Sequence, residues 1–226
     1  MKKVISFSIY GSDPKYTIGL LRNLELSSKI YPGWVVYVYY NSTVSDFMIE
    51  EYKKFNNVEL INMDGNDLPG MFWRFTPKEG VERFISRDVD SRLSIREKLA
   101  VDDWIISNKT LHILRDHPHH EHEVNGGMFG LVINEKFDML SEINKWLEGK
   151  HLDLFNKFGD LDFLDNVMFV ELKDDLIAHD SVWRSRVGSV PFPTPMEDYK
   201  FVGEIYDENE NRYHQYQEWV NRKEVR

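Results

Sequence analysis

The chain has 226 residues, 42% of them hydrophobic and 14% aromatic, which supplies one substantial core, makes a single domain over 1–226 the expectation and gives no compositional case for disorder. A formal net charge of −10 excludes a general nucleic-acid binder, whose phosphate contacts need a basic face, although a local cationic pocket can still grip one nucleotide. With no cysteine, disulfides and thiolate metal sites are excluded and a reducing compartment, the cytoplasm, is the simplest setting.

Val4 to Tyr10 is expected as the first strand; the apolar run is too short and too interrupted for a signal peptide or an integral membrane segment. Gly11-Ser12-Asp13-Pro14 breaks it, and Tyr16 to Ile30 takes up a helical pattern. After Pro32-Gly33, Trp34 to Tyr40 is a nearly continuous β-rich run, and Ser45 can cap a helix reaching about Phe55. Val58 to Met63 is a short third strand, followed by a loop and the aromatic cluster Met71 to Phe75. Phe84 and Ile85 form the buried part of the next strand, and a helix is expected from about Ser94 to Ser107. Thr110 to Asp116 reads as a strand running into the loop His117 to His122, and Gly126 to Ile133 as a turn and a further strand. Phe137 to Leu147 is an amphipathic helix and Phe163 to Phe169 belongs to another. Phe201 to Tyr206 reads as a packing strand before a helix containing Trp219 and a charged, low-order end. Strands alternating with helices imply an α/β fold, a mostly parallel central sheet flanked by helices on both faces, with room for one late antiparallel strand.

Asp88 and Asp90 stand two residues apart where an apolar strand ends, on the rim where open α/β sheets keep their ligand crevice. A hard divalent cation such as Mg²⁺ or Mn²⁺ takes oxygen ligands, commonly one or two carboxylates plus substrate phosphates. Among 38 acidic residues an Asp-x-Asp pair alone is a weak signal, usually solvated surface; its place after a strand and between Arg87 and Arg92 strengthens it. Gly126-Gly127 permits close backbone approach to a ligand, and serves equally as a plain turn. Five histidines between His112 and His122 raise the idea of a zinc site, but Pro118 interrupts any helical ligand pairing, which favours a polar flap or a solvated loop.

Read together and in order, several segments resemble the nucleotide-sugar glycosyltransferases of the GT-A fold, within them a small viral and bacterial group that includes the N-terminal glycosyltransferase domain of a chlorovirus multidomain protein. They are Ser6-Phe7-Ser8-Ile9-Tyr10-Gly11, Trp73-Arg74-Phe75, Ser86 to Arg92, Leu114-Arg115-Asp116-His117-Pro118, Gly126-Gly127-Met128-Phe129-Gly130, Asp160-Leu161-Asp162-Phe163-Leu164, His179-Asp180-Ser181 and Phe201-Val202-Gly203-Glu204. The resemblance implies a single Rossmann-like GT-A domain and a hexosyl or deoxyhexosyl transferase, retaining by distant structural similarity. The donor would be a nucleoside diphosphate sugar, a UDP-sugar as first choice, with Mn²⁺ or Mg²⁺ as cofactor and a glycan or glycoprotein as acceptor. The setting would be cytoplasmic, or host cytoplasm or virion for a viral chain.

By the same resemblance Asp90 is the first choice for direct metal ligand, Asp88 reaches the metal through water or touches the ribose, and His179 completes the shell. Phe7, Ile9, Tyr10 and Gly11 would hold nucleobase and ribose, with Tyr10 stacking. Arg74 and Arg87 are candidates for the nucleotide or its diphosphate, because a guanidinium pairs with phosphate oxygens in a fork, and a structural ion pair is the competing reading. Gly126, Gly127 and Met128 would line the sugar or acceptor. Asp160 would orient the sugar or act as base or nucleophile, with Asp116 competing for that role and His117 reaching toward the acceptor. Leu161 departs from the Asp-Gln that relatives often show at 160–161. The competing functional readings are a nucleotidyltransferase, a metal-dependent phosphohydrolase and a non-catalytic nucleotide- or glycan-binding module; Gly11-Ser12-Asp13-Pro14-Lys15 is a poor version of the glycine-rich basic loop that the first would carry.

Overall fold

The computed structural model describes residues 1–148 and 159–222. Strands β1 (Lys2–Ile9), β2 (Val35–Tyr40), β3 (Val58–Asn62), β4 (Val81–Arg87), β5 (Leu111–Arg115), β6 (Met128–Val132), β7 (Leu176–Asp180) and β8 (Ser189–Val190) form one sheet. Their spatial order is β3-β2-β1-β4-β6-β5-β7-β8. Every neighbouring pair is parallel except those of β6, which lies antiparallel between β4 and β5. The expected mostly parallel sheet, with its late antiparallel member, is therefore present.

Side-chain alternation along the strands builds two cores. In β1 and β2, Ile5, Phe7, Ile9, Val36 and Val38 face one way, where helices α1 (Pro14–Ile30), α2 (Asp46–Tyr52) and α4 (Ile95–Ser107) cover them with Leu20, Leu24, Ile49, Val101 and Trp104. Val4, Tyr37 and Tyr39 face the other way, toward α3 (Gly70–Trp73), α5 (Met139–Glu148), α6 (Gly159–Phe163) and α7 (Phe169–Leu172), the last two joined by a π-helical turn at Leu164–Met168. The helix expected over Phe163 to Phe169 falls across that composite. Helix starts follow the capping residues: Asp13, Ser45 and Ser94 accept from the backbone N–H of Lys15, Met48 and Glu97.

Two expectations differ from the structure. Phe201 to Tyr206 is a loop, because its backbone donors are taken up outside any ladder, Val202 by the Asp116 carboxylate and Tyr206 by the Asp90 carbonyl. Strand β7 was not anticipated, because Leu176-Ile177-Ala178-His179-Asp180 ends in two polar residues and shows no alternation. The expected terminal helix is α8 (His214–Arg222); the side chain of Trp219 and the end beyond 222 lie outside the described residues. Among the described residues no helix is long and apolar enough to cross a membrane.

The chain runs outward from β1 to β2 and β3, then returns to place β4 on the other side of β1. That reversal opens a crevice beyond the carboxyl ends of β1 and β4, where Tyr10 and Asp88 emerge.

Candidate active site

The loop carrying Asp88 and Asp90 is fixed by α1. Gly19 lets the helix lie directly against this loop, since a Cβ there would run into the Val89 carbonyl oxygen. One turn on, the Asn23 amide donates to Val89 O (3.2 Å) and Ser91 O (2.8 Å) and accepts from Leu93 N (3.0 Å), satisfying three buried backbone groups with one side chain. The loop is thereby held rigidly at the lip of a cleft of about 630 Å³, a size typical of small-molecule sites. The β1 end contributes Ser8, Ile9 and Tyr10, α1 contributes Lys15 and Tyr16, and Met71 and Arg74 come from α3 and its cap. Asp88 and Asp90, then His120, Asn125 and Met128, and finally Gly203, Ile205 and Tyr216 complete the wall.

Each of the two carboxylates has a cationic partner. Asp88 pairs with Arg74 Nη1, and Lys15 Nζ lies 2.8 Å from Asp90 Oδ2. The buried Arg74 also donates to Arg87 O at 3.1 Å and faces Asp160 Oδ2 at 3.7 Å, so one guanidinium links the cleft carboxylate to a deeper one. Arg74 is itself located through β1: its N–H donates to Ser8 Oγ (3.0 Å) and its carbonyl accepts from Ser6 Oγ (2.6 Å). Burial raises the Asp90 carboxyl above the usual range, and the Asp88 charge adds to this against the pull of Lys15. Burial raises Asp160 as well, opposed by Arg74 and reinforced by Asp88.

The paired glycines serve these carboxylates. A Cβ on Gly126 would lie 2.7 Å from Arg74 Nη2 and 2.8 Å from Asp160 Oδ2, and one on Gly127 would meet the Asp88 carboxylate and sit 2.8 Å from the Asp88 backbone N. Gly127→Ala is therefore expected to displace Asp88. Overpacking should cost roughly 1–3 kcal/mol of stability, and on the metal–nucleotide reading that the resemblance implies, calorimetric titration with UDP and Mn²⁺ should show affinity falling about tenfold or more. Unchanged affinity would mean that Asp88 does not touch the ligand.

Other sequence candidates lie elsewhere. Phe7 is fully buried core. Gly11 donates its N–H to Thr43 Oγ1 at 2.6 Å and does not line the cleft. Arg87 does not line the cleft: buried beneath α4, its Nε pairs with Glu97 Oε1 at 2.8 Å, which also accepts from Tyr31 OH at 2.7 Å. Asp116 is sequestered by Arg96, Ser181 and Val202 rather than presented to the cleft. His117 has both ring nitrogens engaged, Nδ1 accepting from His119 N (3.0 Å) and Nε2 on the Tyr216 carbonyl (2.9 Å). The imidazole lining the cleft is that of His120. Burial and the neighbouring imidazoles push it down to about 3, so it is neutral at physiological pH.

His179, the candidate third metal ligand, is not among the residues that line the cleft. It sits on β7 beneath α4, fully buried, with Nδ1 2.9 Å from His112 Nε2 and Nε2 3.1 Å from Asp103 Oδ2. Among the described residues no three His, Asp or Glu side chains are grouped to hold a metal ion. The two hard carboxylates Asp88 and Asp90 do suit a divalent cation that draws its remaining oxygens from water and a diphosphate. Lys15, Tyr16 and the C-terminal residues Gly203, Ile205 and Tyr216 were missed as site residues. Only the closeness of Lys15 to the end of β1 was visible in the sequence.

No family model matches the chain, and no curated protein matches it. Of three solved structures with overall similarity, two are glycosyltransferases and one is a synthase. The galactosyltransferase LgtC in complex with donor and acceptor sugar analogs is 13% identical over 80% of this chain and 74% of its own, with a TM-score of 0.48. A glycosyltransferase involved in the glycosylation of the major capsid of PBCV-1 is 14% identical over 80% of this chain and 82% of its own, TM-score 0.45. A 4-diphosphocytidyl-2C-methyl-D-erythritol synthase from Anaerococcus prevotii is 8% identical over 80% and 86%, TM-score 0.49. At these scores none of the three decides what the cleft binds.

Proposed function

We propose that the chain is a glycosyltransferase whose cleft binds a nucleoside diphosphate sugar, a UDP-sugar as first choice, and passes the sugar to a hydroxyl of a glycan or glycoprotein. The observation that carries this reading is the convergence of Tyr10, Asp88 and Asp90 in one cleft at the crossover between β1 and β4. The half-exposed Tyr10, held edge-on against Trp73 at 5.8 Å, offers a ring face to a nucleobase. Asp88 and Asp90 would hold Mn²⁺ or Mg²⁺. Such an ion, when bound, offsets the negative charge that gathers on the departing diphosphate. Arg74 keeps Asp88 aimed at the cleft and holds Asp160 in reserve behind it, where this carboxyl is the candidate to orient the sugar or serve as base or nucleophile. Gly126 and Gly127 lie against those two acids and Met128 lines the cleft, where they would border the sugar or acceptor.

Asp90→Ala is expected to abolish metal-dependent UDP binding, a loss of at least about 100-fold in affinity, with the fold intact because a cleft carboxylate leaves no core cavity. Calorimetry with UDP and Mn²⁺ measures it; a variant that binds as tightly as the wild type removes the metal assignment. A thermal-shift series with UDP, GDP and CMP, with and without Mn²⁺, identifies the base through selective stabilisation. Product analysis separates sugar transfer, which releases the nucleoside diphosphate, from nucleotidyl transfer, which releases pyrophosphate. Retention of configuration, the outcome expected from the resemblance, is read from the anomeric coupling of the product.

A further inference from the structure

In the free protein the divalent-cation position is already electrically balanced. Asp88 has Arg74 and Asp90 has Lys15, so these four groups sum to zero, and counting Asp160 leaves one negative charge against an ion's two. The Lys15–Asp90 pair is poorly screened by solvent, with side chains 22% and 15% exposed. Both its ends are anchored. Asp13 caps the helix turn that carries Lys15 through a 2.9 Å bond to its N–H, and the Asp90 carbonyl accepts from Tyr206 N at 2.9 Å within the loop that Asn23 fastens.

The ammonium borders other groups as well, even while paired with Asp90. It is a compact charge on a flexible stem, it lines the same cleft as Asp88, and it lies 5.0 Å from the ring centre of Tyr16 and 5.8 Å from that of Tyr213.

Building on the nucleotide-sugar reading, we propose that Lys15 is the resident counter-cation of Asp90, and that a divalent ion gains that carboxylate only when an arriving nucleoside diphosphate takes up the Lys15 ammonium. Ion and diphosphate then enter as a nearly neutral pair, and the diphosphate supplies the oxygens that the protein lacks. Lys15 is a positioning residue that makes metal loading conditional on nucleotide.

The test is Mn²⁺ binding, followed by the electron paramagnetic resonance of the free ion, with and without saturating UDP. In the wild type, Mn²⁺ alone should bind weakly and UDP should tighten it about tenfold or more. In Lys15→Met, Mn²⁺ alone should bind about tenfold tighter than to the wild type, the enhancement by UDP should shrink, and UDP itself should bind more weakly at saturating Mn²⁺. Lys15→Gln, which keeps a polar head without the charge, should behave in the same way and serves if the methionine variant folds poorly. Mn²⁺ affinity in either folded variant equal to or weaker than wild type, without nucleotide, overturns the role of Lys15 alone. No Mn²⁺ binding to any of the proteins, even with UDP, overturns the underlying metal-nucleotide reading instead.

Discussion

Asp116→Ala should lower the unfolding free energy by about 3–5 kcal/mol, the range for removing one partner of a buried charge pair, out of a total that is ordinarily about 5–15 kcal/mol. Asp116 is fully buried at the end of β5, where its two oxygens accept from Arg96 Nε and Nη2, both at 2.8 Å, and from Val202 N at 2.9 Å, with Ser181 Oγ as a further donor. Alanine leaves a guanidinium and a backbone N–H without their acceptor and frees the segment that brings Gly203 and Ile205 to the cleft. Urea unfolding measures the loss, and Asp116→Asn, which keeps one acceptor oxygen, should recover part of it. Lost turnover with an unchanged unfolding midpoint would return Asp116 to the catalytic set.

Acidification from pH 7.5 to 5.5 should destabilise the fold through its neutral histidines. Burial lowers His112, His117, His120 and His179 in the folded state, His112 far below the usual value of 6.5 and His120 to about 3. The unfolded chain therefore binds more protons once pH falls below about 6.5, so stability is complete above that value and declines toward the folded values. Each histidine that stays neutral in the fold removes about 1.4 kcal/mol between pH 7.5 and 5.5, and a similar amount for each further unit. The ring contacts explain why protonation is resisted. His179 Nε2–H donates to Asp103 and His112 Nε2–H to His179 Nδ1, leaving His112 Nδ1 buried with no partner for an added proton. Asp90 and Asp160, raised in the fold, act with the opposite sign, taking up protons before the unfolded chain does, in the window above 3.8. Urea midpoints across this range give the slope; a flat profile would mean that these imidazoles are not held neutral.

Local features were legible in the sequence and distant partners were not. Ser94 announced α4 because a cap acts within one turn, and Asp88 and Asp90 could be placed on the rim because an apolar strand visibly ends before them. The fate of Arg87 could not be read, since a free phosphate ligand and a structural guanidinium look alike until Glu97 and Tyr31 are brought to it. Glu97 stands where a capping box would turn it back to Ser94, yet it turns inward to Arg87. Asp116, His117 and His179 were candidates because their side chains can do chemistry; what the sequence could not show is that their polar atoms are occupied by residues far along the chain. The β-rich composition of 201–206 likewise says nothing of where its N–H groups find acceptors.

The fastening of residues 89–93 by a single asparagine divides the two sides of the cleft. With Val89, Ser91 and Leu93 all bound to Asn23, and α1 seated against them at Gly19, the acidic bank has no slack to follow a ligand. On the nucleotide-sugar reading, differences in sugar size would then fall to cleft residues outside that bank, such as Tyr216 on α8, whereas Gly203 and Ile205 are tied to it by the Tyr206 N–H on the Asp90 carbonyl. On that reading, selectivity would be retuned through α8 while the two carboxylates stay anchored.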